Sequence, residues 1–244
     1  MRYQRVLVKL SGGALRGEEG EVFSSKVLEY VVEEITSLQK MGIQVALVVG
    51  GGNLFRGSLS RRWKLERAEG DQVGMLGTVV NGLILRALLS GHLQSRVRVL
   101  TSIAIEGVAE SYIRQKALHY LGKGDLLIFV GGIGQPFVTT DYAAVQRAVE
   151  MQCQALLVAK EGVEGVYSAD PKKNPRAHLY QTLSHRHLIE KQIDVMDQAA
   201  ILLAEQFSLP LHICNFSDSS ALEKICSGQK VGTHIYAGAT MMEK

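Results

Sequence analysis

The stretch VVGGGNLFRG, residues 48–57, places three glycines directly behind an apolar run and an arginine four residues beyond them. Glycine behind a buried strand lets backbone come close to a phosphate, but a plain tight turn explains it equally well. The flanking segments carry the reading further. IQVALVV (43–49) is short and dense in Val, which marks a buried strand. RVLVKL (5–10) reads the same way and stops at Ser11, Gly12 and Gly13. Between the two, Val27, Val31, Ile35 and Leu38 recur at helical spacing, while Glu29, Glu33, Glu34 and Lys40 fall elsewhere, and Gly42 suits a C-cap. Strand, helix and strand form a βαβ unit, hence parallel and right-handed.

The alternation continues. A helix is expected over 71–89, a strand over 97–103, a helix near 111–121 and a strand over 125–132. Another helix follows Thr140, then a strand at 155–159. A loop with Pro171 and Pro175 leads to helices near 184–191 and 194–206, a strand at 211–216, a short helix, and THIY (233–236). This order predicts an α/β fold: a three-layer αβα sandwich around one continuous, mainly parallel sheet.

Composition narrows the class. A hydrophobic share of 46% supports a sizeable core, and a net charge of +3 lacks the dense stripe of a nucleic-acid binder. The local exception is Arg56, Arg61, Arg62, Lys64 and Arg67, just behind the glycines. Cys153, Cys214 and Cys226 form no C-x-x-C pair, so they read as small core hydrophobes in a cytoplasmic protein. With no apolar run of about 18 residues, no membrane span is expected. His185 and His187 do not suggest a metal site.

Ligands of such sheets collect at the carboxyl ends of the strands. Three strand ends carry glycine: Ser11-Gly12-Gly13, Gly50-Gly51-Gly52, and Gly131-Gly132 with Gly134. Together they suit a polyphosphate, or two phosphate groups end to end. The P-loop spacing is absent, and the third glycine of GGGNLFRG comes too late for a dinucleotide fingerprint. Lys9 ends a buried strand, where lysine needs a partner, and a phosphate beside the first glycine turn would supply one. Arg56 follows the second turn, and its planar fork suits phosphate. Asp71 reads as a helix cap, Asp141 as part of a helix start after Thr139 and Thr140, and Asp197 as a helical carboxylate seeking a cation such as Lys9. On residues alone each acid reads as structural before catalytic.

KLSGGAL (9–15), VVGGGNLFRG, GDQVGMLGTVVNGL (70–83), GQPFVTTD (134–141), GVYSADP (165–171) and VMDQAA (195–200) together resemble the bacterial UMP kinases of the amino acid kinase superfamily. The likeness runs from Val6 to about Ile235, and the 70–83 and 136–141 blocks are its most specific parts. The resemblance implies phosphoryl transfer from MgATP to UMP within a single 1–244 domain. An acceptor lobe would span about 1–155 and an ATP lobe about 156–240. Lys9, Leu10, Ser11 and Gly12 would line the ATP phosphates, with Gly52 and Arg56 beside them. Glu161, Tyr167 and Asp170 would hold the adenosine. Gly51, Asp71 and the run Ile133, Gly134, Gln135, Pro136, Phe137, Val138, Thr139 and Thr140 would bind UMP. Asp141 and Asp197 would organise the centre, with Asp197 positioning Lys9. Magnesium would arrive with ATP, without an assigned protein ligand. A homohexamer, GTP activation and UTP inhibition are further implications.

The chain departs from the pattern at Gly13, where an acidic residue is usual, at Glu161, and in RGEEGE (16–21). Ala87 and Ser90 stand where GTP-responsive relatives often carry aspartate and histidine, which leaves that regulation open. The alternatives are a kinase of the same fold acting on a small carboxylate, and a non-catalytic nucleotide-sensing module.

Overall fold

Residues 1–17, 21–160, 162–171, 173–174, 176–238 and 241–242 are described by a computed structural model. The apolar runs form strands within a few residues of the expected limits: β1 (Arg5–Leu10), β2 (Gln44–Val49), β3 (Val97–Thr101), then a two-residue β4 (Glu110–Ser111) and β5 (Leu126–Val130). β6 (Ala155–Lys160), β7 (Tyr180–Ser184), β8 (Leu211–Asn215), β9 (Thr233–Tyr236) and β10 (Met241–Met242) complete the set. They join one sheet in the order β10-β7-β9-β8-β6-β1-β2-β5-β3-β4. The pairs β8–β9 and β7–β10 are antiparallel and the rest parallel. The three strands followed by glycine turns, β1, β2 and β5, are neighbours, so the turns lie side by side on one edge of the sheet.

The helices are α1 (Ser25–Lys40), α2 (Gly57–Arg62), α3 (Arg67–Ser90), α4 (Arg114–Gly122), α5 (Thr140–Glu150), α6 (His185–Glu190), α7 (Gln198–Gln206) and α8 (Ala221–Cys226). Strand alternation sends Val6, Val8 and Leu10 to the core shared with α1, α3 and α8, and Leu7 to the core shared with α4, α5 and α7. Lys9 shares parity with Leu7 and therefore faces α5. The three cysteines are buried, and desolvation pushes each thiol up to about 12, so they act as core hydrophobes.

Several expectations need correction. α3 starts at Arg67, capped by Glu66 and Glu69 in a capping box, so Asp71 lies inside the helix and is no cap. α7 starts at Gln198, which makes Asp197 its half-buried N-cap and not a residue of the helix body. Glu34, placed on the polar side of α1, is buried and accepts hydrogen bonds from Ser220 N and Leu222 N at 2.7 and 3.2 Å, capping α8 from outside. α2 and β7 have no signal in the apolar pattern: α2 is nearly all polar, and YQTLS buries only two of its five residues.

Among the described residues, α3 is long and apolar enough to cross a membrane by length and composition, although it holds no unbroken apolar run of the length sought in the sequence. Gly, Thr and Asn break its run, yet few charges do. Here it packs against β3 and β5 as a core helix. Its outward face leaves Val73, Leu76, Val80 and Leu88 exposed.

Candidate functional site

The glycine turns meet backbone to backbone. A Cβ on Gly12 would lie 2.3 Å from Gly52 N, and one on Gly51 would lie 2.5 Å from Gly74 O on α3. Glycine is therefore required where the first turn crosses the second and where the second crosses the helix. The second turn is pinned from below by two buried amides. Asn81 Nδ2 donates to Gly50 O and to Asn53 Oδ1, both at 2.7 Å, and Asn53 Nδ2 donates back to Asn81 Oδ1 at 3.0 Å. Neither asparagine was singled out from the sequence. The signal was present as a stripe of small or polar residues, Gly70, Gly74, Gly77, Asn81, at helical spacing along an otherwise apolar helix.

Lys9 Nζ lies 3.0 Å from Asp141 Oδ1, with the lysine side chain 9% exposed. Its ion pair is thus with Asp141 and not with Asp197, because α5 covers the sheet face onto which Lys9 points. Asp197 sits one layer out. Its carboxylate accepts from Ala199 N at 2.9 Å and from Thr139 Oγ1 at 2.7 Å, while its backbone N–H reaches Asp141 Oδ2 at 3.4 Å. Thr139 is itself the N-cap of α5. The N-termini of α5 and α7 therefore converge on one point and add positive potential there.

A second lysine, also missed from the sequence, stands beside the first. Lys160 ends β6, the neighbour of β1, two residues beyond the Val158 that registers with Lys9, and so on the same face. Its ammonium donates to Val195 O. Burial holds its pKa below the usual lysine value, with Lys9 pushing the same way and Asp141 and Asp194 opposing. Period-2 alternation carried through ALLVAK would have found it.

Arg56 is exposed and spans the first two turns: Nε donates to Gly52 O at 3.0 Å, and its guanidinium lies against Gly13. Ser11 Oγ caps the short 3-10 turn behind β1, accepting from Ala14 N at 3.2 Å, and the Leu10 side chain is buried in the core, so Leu10 can offer a ligand only its backbone.

A cavity of about 640 Å³ opens beside these turns, lined by Gly51, Gly52, Asp71, Gln135, Val138, Thr139 and Thr140 among others. Arg61, Arg67 and Met75 also face it, none of them assigned from the sequence. Asp71 accepts from Phe137 N at 2.8 Å and pairs with Arg67 at 3.5 Å, which ties α3 to the 133–140 loop. Ile133, Gly134, Pro136 and Phe137 belong to that loop but do not line the cavity; Phe137 is exposed, with φ at 68°.

A second cavity of about 510 Å³ lies on the same edge of the sheet, at the end of β8, lined by Glu164, Asn215, Lys224 and Lys230 among others. Tyr167 reaches its rim through a 2.9 Å hydrogen bond to Glu164, and exposed Asp170 is three residues on, 3.8 Å from Lys173 Nζ. Glu161 lies outside the described residues.

Comparison with known proteins agrees with this geometry. Residues 4–215 match the model of the amino acid kinase family. A uridylate kinase of Frankia casuarinae is 47% identical over 243 residues, covering 100% of this chain and 94% of that protein. The crystal structure of UMP kinase from Bacillus anthracis superposes with a TM-score of 0.98 at 49% identity, covering all of both chains. That of UMP kinase from Ureaplasma parvum gives 0.90 at 31% identity, covering 97% of this chain and 100% of that one. The chain belongs to the amino acid kinase family.

Proposed function

We propose that this chain transfers the γ-phosphoryl group of ATP to UMP, giving ADP and UDP. The observation that carries the reading is the Lys9–Asp141 pair, buried at the sheet edge that carries the three glycine turns, beside an open cavity. A phosphate oxygen of UMP is already an anion. It forms the new P–O bond as the bond from the γ-phosphorus to the bridging oxygen breaks, and ADP leaves with that electron pair. No general base is needed, so catalysis rests on alignment and charge neutralisation.

In this reading the 640 Å³ cavity takes UMP, with Asp71 toward its ribose and Arg61 and Arg67 near its phosphate. Gly51 and the 133–140 loop enclose the rest. The 510 Å³ cavity takes the nucleoside of ATP, with Tyr167 and Asp170 at its rim. Lys9 and Lys160 neutralise the transferring group from below, Arg56 from above, and the two converging helix N-termini from the side. Asp141 holds the Lys9 ammonium upright, and Asp197 holds Thr139 through its carboxylate and the Asp141 carboxylate through its backbone N–H.

Among the described residues no three His, Cys, Asp or Glu cluster as a metal cage. Magnesium carried on ATP fits this donor set, with phosphate oxygens and water as its main ligands and Asp141 and Asp197 the carboxylates at the junction. It would neutralise phosphate charge. The exposed apolar face of α3 would be a subunit contact in a homohexamer.

An ADP-release assay with MgATP and UMP, CMP, dTMP or an amino acid tests the reading. Turnover with UMP is expected; turnover with an amino acid and none with UMP overturns it. Adding GTP or UTP to the same assay reads out activation and inhibition.

A further inference from the structure

The third glycine turn differs from the other two. The first two brace each other backbone to backbone, whereas Gly131, Gly132 and Gly134 all have positive φ, with values of 73°, 56° and 82°. A turn of three such glycines has little conformational preference of its own, so its shape must be imposed from outside.

The turn closes on itself through Gly134 N donating to Gly131 O at 2.9 Å, Thr78 Oγ1 accepts from Gly131 N at 2.7 Å, and the group that holds its Gly132–Gly134 side is Ser102, just past β3. Its Oγ donates to Gly132 O at 2.8 Å, and its backbone N donates to Val130 O at 3.1 Å. A Cβ on Gly134 would meet Ser102 O at 2.8 Å, so the turn is moulded directly onto this residue. Ser102 is in turn fixed by Arg147, whose Nη2 donates to Ser102 Oγ at 2.9 Å.

Arg147 is 4% exposed, and a guanidinium so deep needs compensation. It receives it from Glu150 at 2.5 Å and from the Tyr112 ring, whose centroid lies 3.9 Å away. Tyr112 OH donates to the same Glu150 at 2.6 Å. With Arg147 supplying the proton, the serine hydroxyl has one role left, which is to donate to Gly132 O. The chain Arg147, Ser102, Gly132 thus has a single hydrogen-bond polarity and ends at the wall of the acceptor cavity, which Gly132 lines.

We infer that Ser102, oriented by buried Arg147, is a positioning residue for the acceptor nucleotide: it pre-forms the 131–135 turn so that binding does not have to order it. The inference rests on the acceptor-site reading above. Neither side chain touches the donor-side residues, so the effect falls on one substrate only.

Steady-state kinetics of Ser102→Ala, with both substrates varied, test it. The expected result is a KM for UMP raised roughly tenfold, the loss of about one hydrogen bond's worth of preorganisation. The KM for ATP and kcat should stay within about twofold, and the melting midpoint within a few degrees. Arg147→Lys, which keeps the buried charge but loses the fork, should shift the UMP KM in the same direction by less. An unchanged UMP KM in Ser102→Ala, or equal losses for both substrates, overturns the inference. Asp71→Ala, measured in parallel, separates the two levels. If Asp71→Ala raises the UMP KM and Ser102→Ala does not, the positioning role fails alone. If Asp71→Ala leaves the UMP KM unchanged, the acceptor-site reading fails and takes this inference with it.

Discussion

Two parts of the sheet bury ionisable groups and resolve the burial in opposite ways. At the carboxyl edge of the central strands, Lys9 is 7% exposed and sits against a carboxylate 3.0 Å away. At the β8–β9 end, His212 is 2% exposed and packs in a stack: its ring lies 4.4 Å from that of His234, which lies 4.6 Å from that of Tyr236. Among the described residues, the partners of this stack are a phenol and a guanidinium, not a carboxylate. Tyr3 OH bonds His212 Nε2 at 2.8 Å, and Arg2 reaches His234 at 3.3 Å. Desolvation first, then the neighbouring histidine and Arg2, hold His212 well below its ordinary 6.5. The glycine edge pairs its lysine with a carboxylate, which suits the phosphate chemistry proposed for it; the far end keeps its rings neutral and uses them as packing.

The sharpest way to break the comparison is at Lys9. Lys9→Ala should lower kcat about 10²- to 10³-fold, the usual loss for one preorganised donor, with a smaller loss of stability than removal of its partner, because the orphaned Asp141 side chain is more exposed than that of Lys9. Full turnover would mean that the buried cation is merely structural. Asp141→Asn comes next and should behave differently. It leaves a buried ammonium without its counter-charge, so stability should fall by about 3 kcal/mol together with activity. Asp197→Asn keeps an acceptor for the N-cap of α7 and loses only the charged oxygen that receives Thr139 Oγ1, so it should cost less than about 1 kcal/mol of stability. If Asp197→Asn proves more destabilising than Asp141→Asn in denaturant melts, the pairing of Lys9 with Asp141 is wrong.

The next effect tests what holds the glycine turns. Asn81→Leu removes three hydrogen-bond contacts at once and strands Asn53 and Gly50 O away from water. About 2–3 kcal/mol of stability should be lost, read from urea unfolding, with KM for UMP rising because Gly51 moves. A variant as stable as the parent would show that the amide pair is not what fixes the turn.

The same contrast explains which parts could be read from sequence. Central strands buried on both faces are written as Val and Leu runs, and a glycine cluster behind each announces the turn, so β1, β2, β5 and the glycine turns at their ends were legible. Lys9 stood out because it interrupts such a run. Partner choice was not legible. Whether Lys9 meets Asp141 or Asp197 depends on which of two helices on the same face lies directly over β1: α5 packs on β1 and β2, and α7 packs against α5. The resemblance supplied the roles but also carried over a direct link between Asp197 and Lys9 that the geometry replaces with Asp141. Helix starts were misplaced wherever the cap was not the first polar residue: Glu66 caps α3 five residues before Asp71. α2 and β7 were missed because each is made by its neighbours, with too few buried residues to leave a period. His212 gave no signal at all, since a histidine inside LHICN reads as an exposed strand position until β9 is laid over it.

The smallest effect belongs to the far end and concerns pH. Burial, followed by Arg2 and His185, pulls His234 down to about 4 from an ordinary 6.5. A group whose folded pKa is depressed contributes stability that is fully present above the unfolded value and is lost as pH falls through the folded one. For His234 that window runs from about 6.5 down to about 4, because the unfolded chain takes up the proton first. His212 contributes in the same direction. The urea midpoint should therefore fall between pH 7 and pH 5, and His234→Phe, which keeps a ring in the stack but cannot titrate, should fall less over the same interval. Comparing the two proteins at each pH cancels the groups they share, including Glu34, whose burial raises its pKa and tilts stability the other way. Turnover with saturating substrates should be the same in both, since no residue of the stack reaches the glycine turns. Parallel pH profiles for parent and variant would show that the stack is not neutral, and the two ends of the sheet would then no longer differ in how they bury charge.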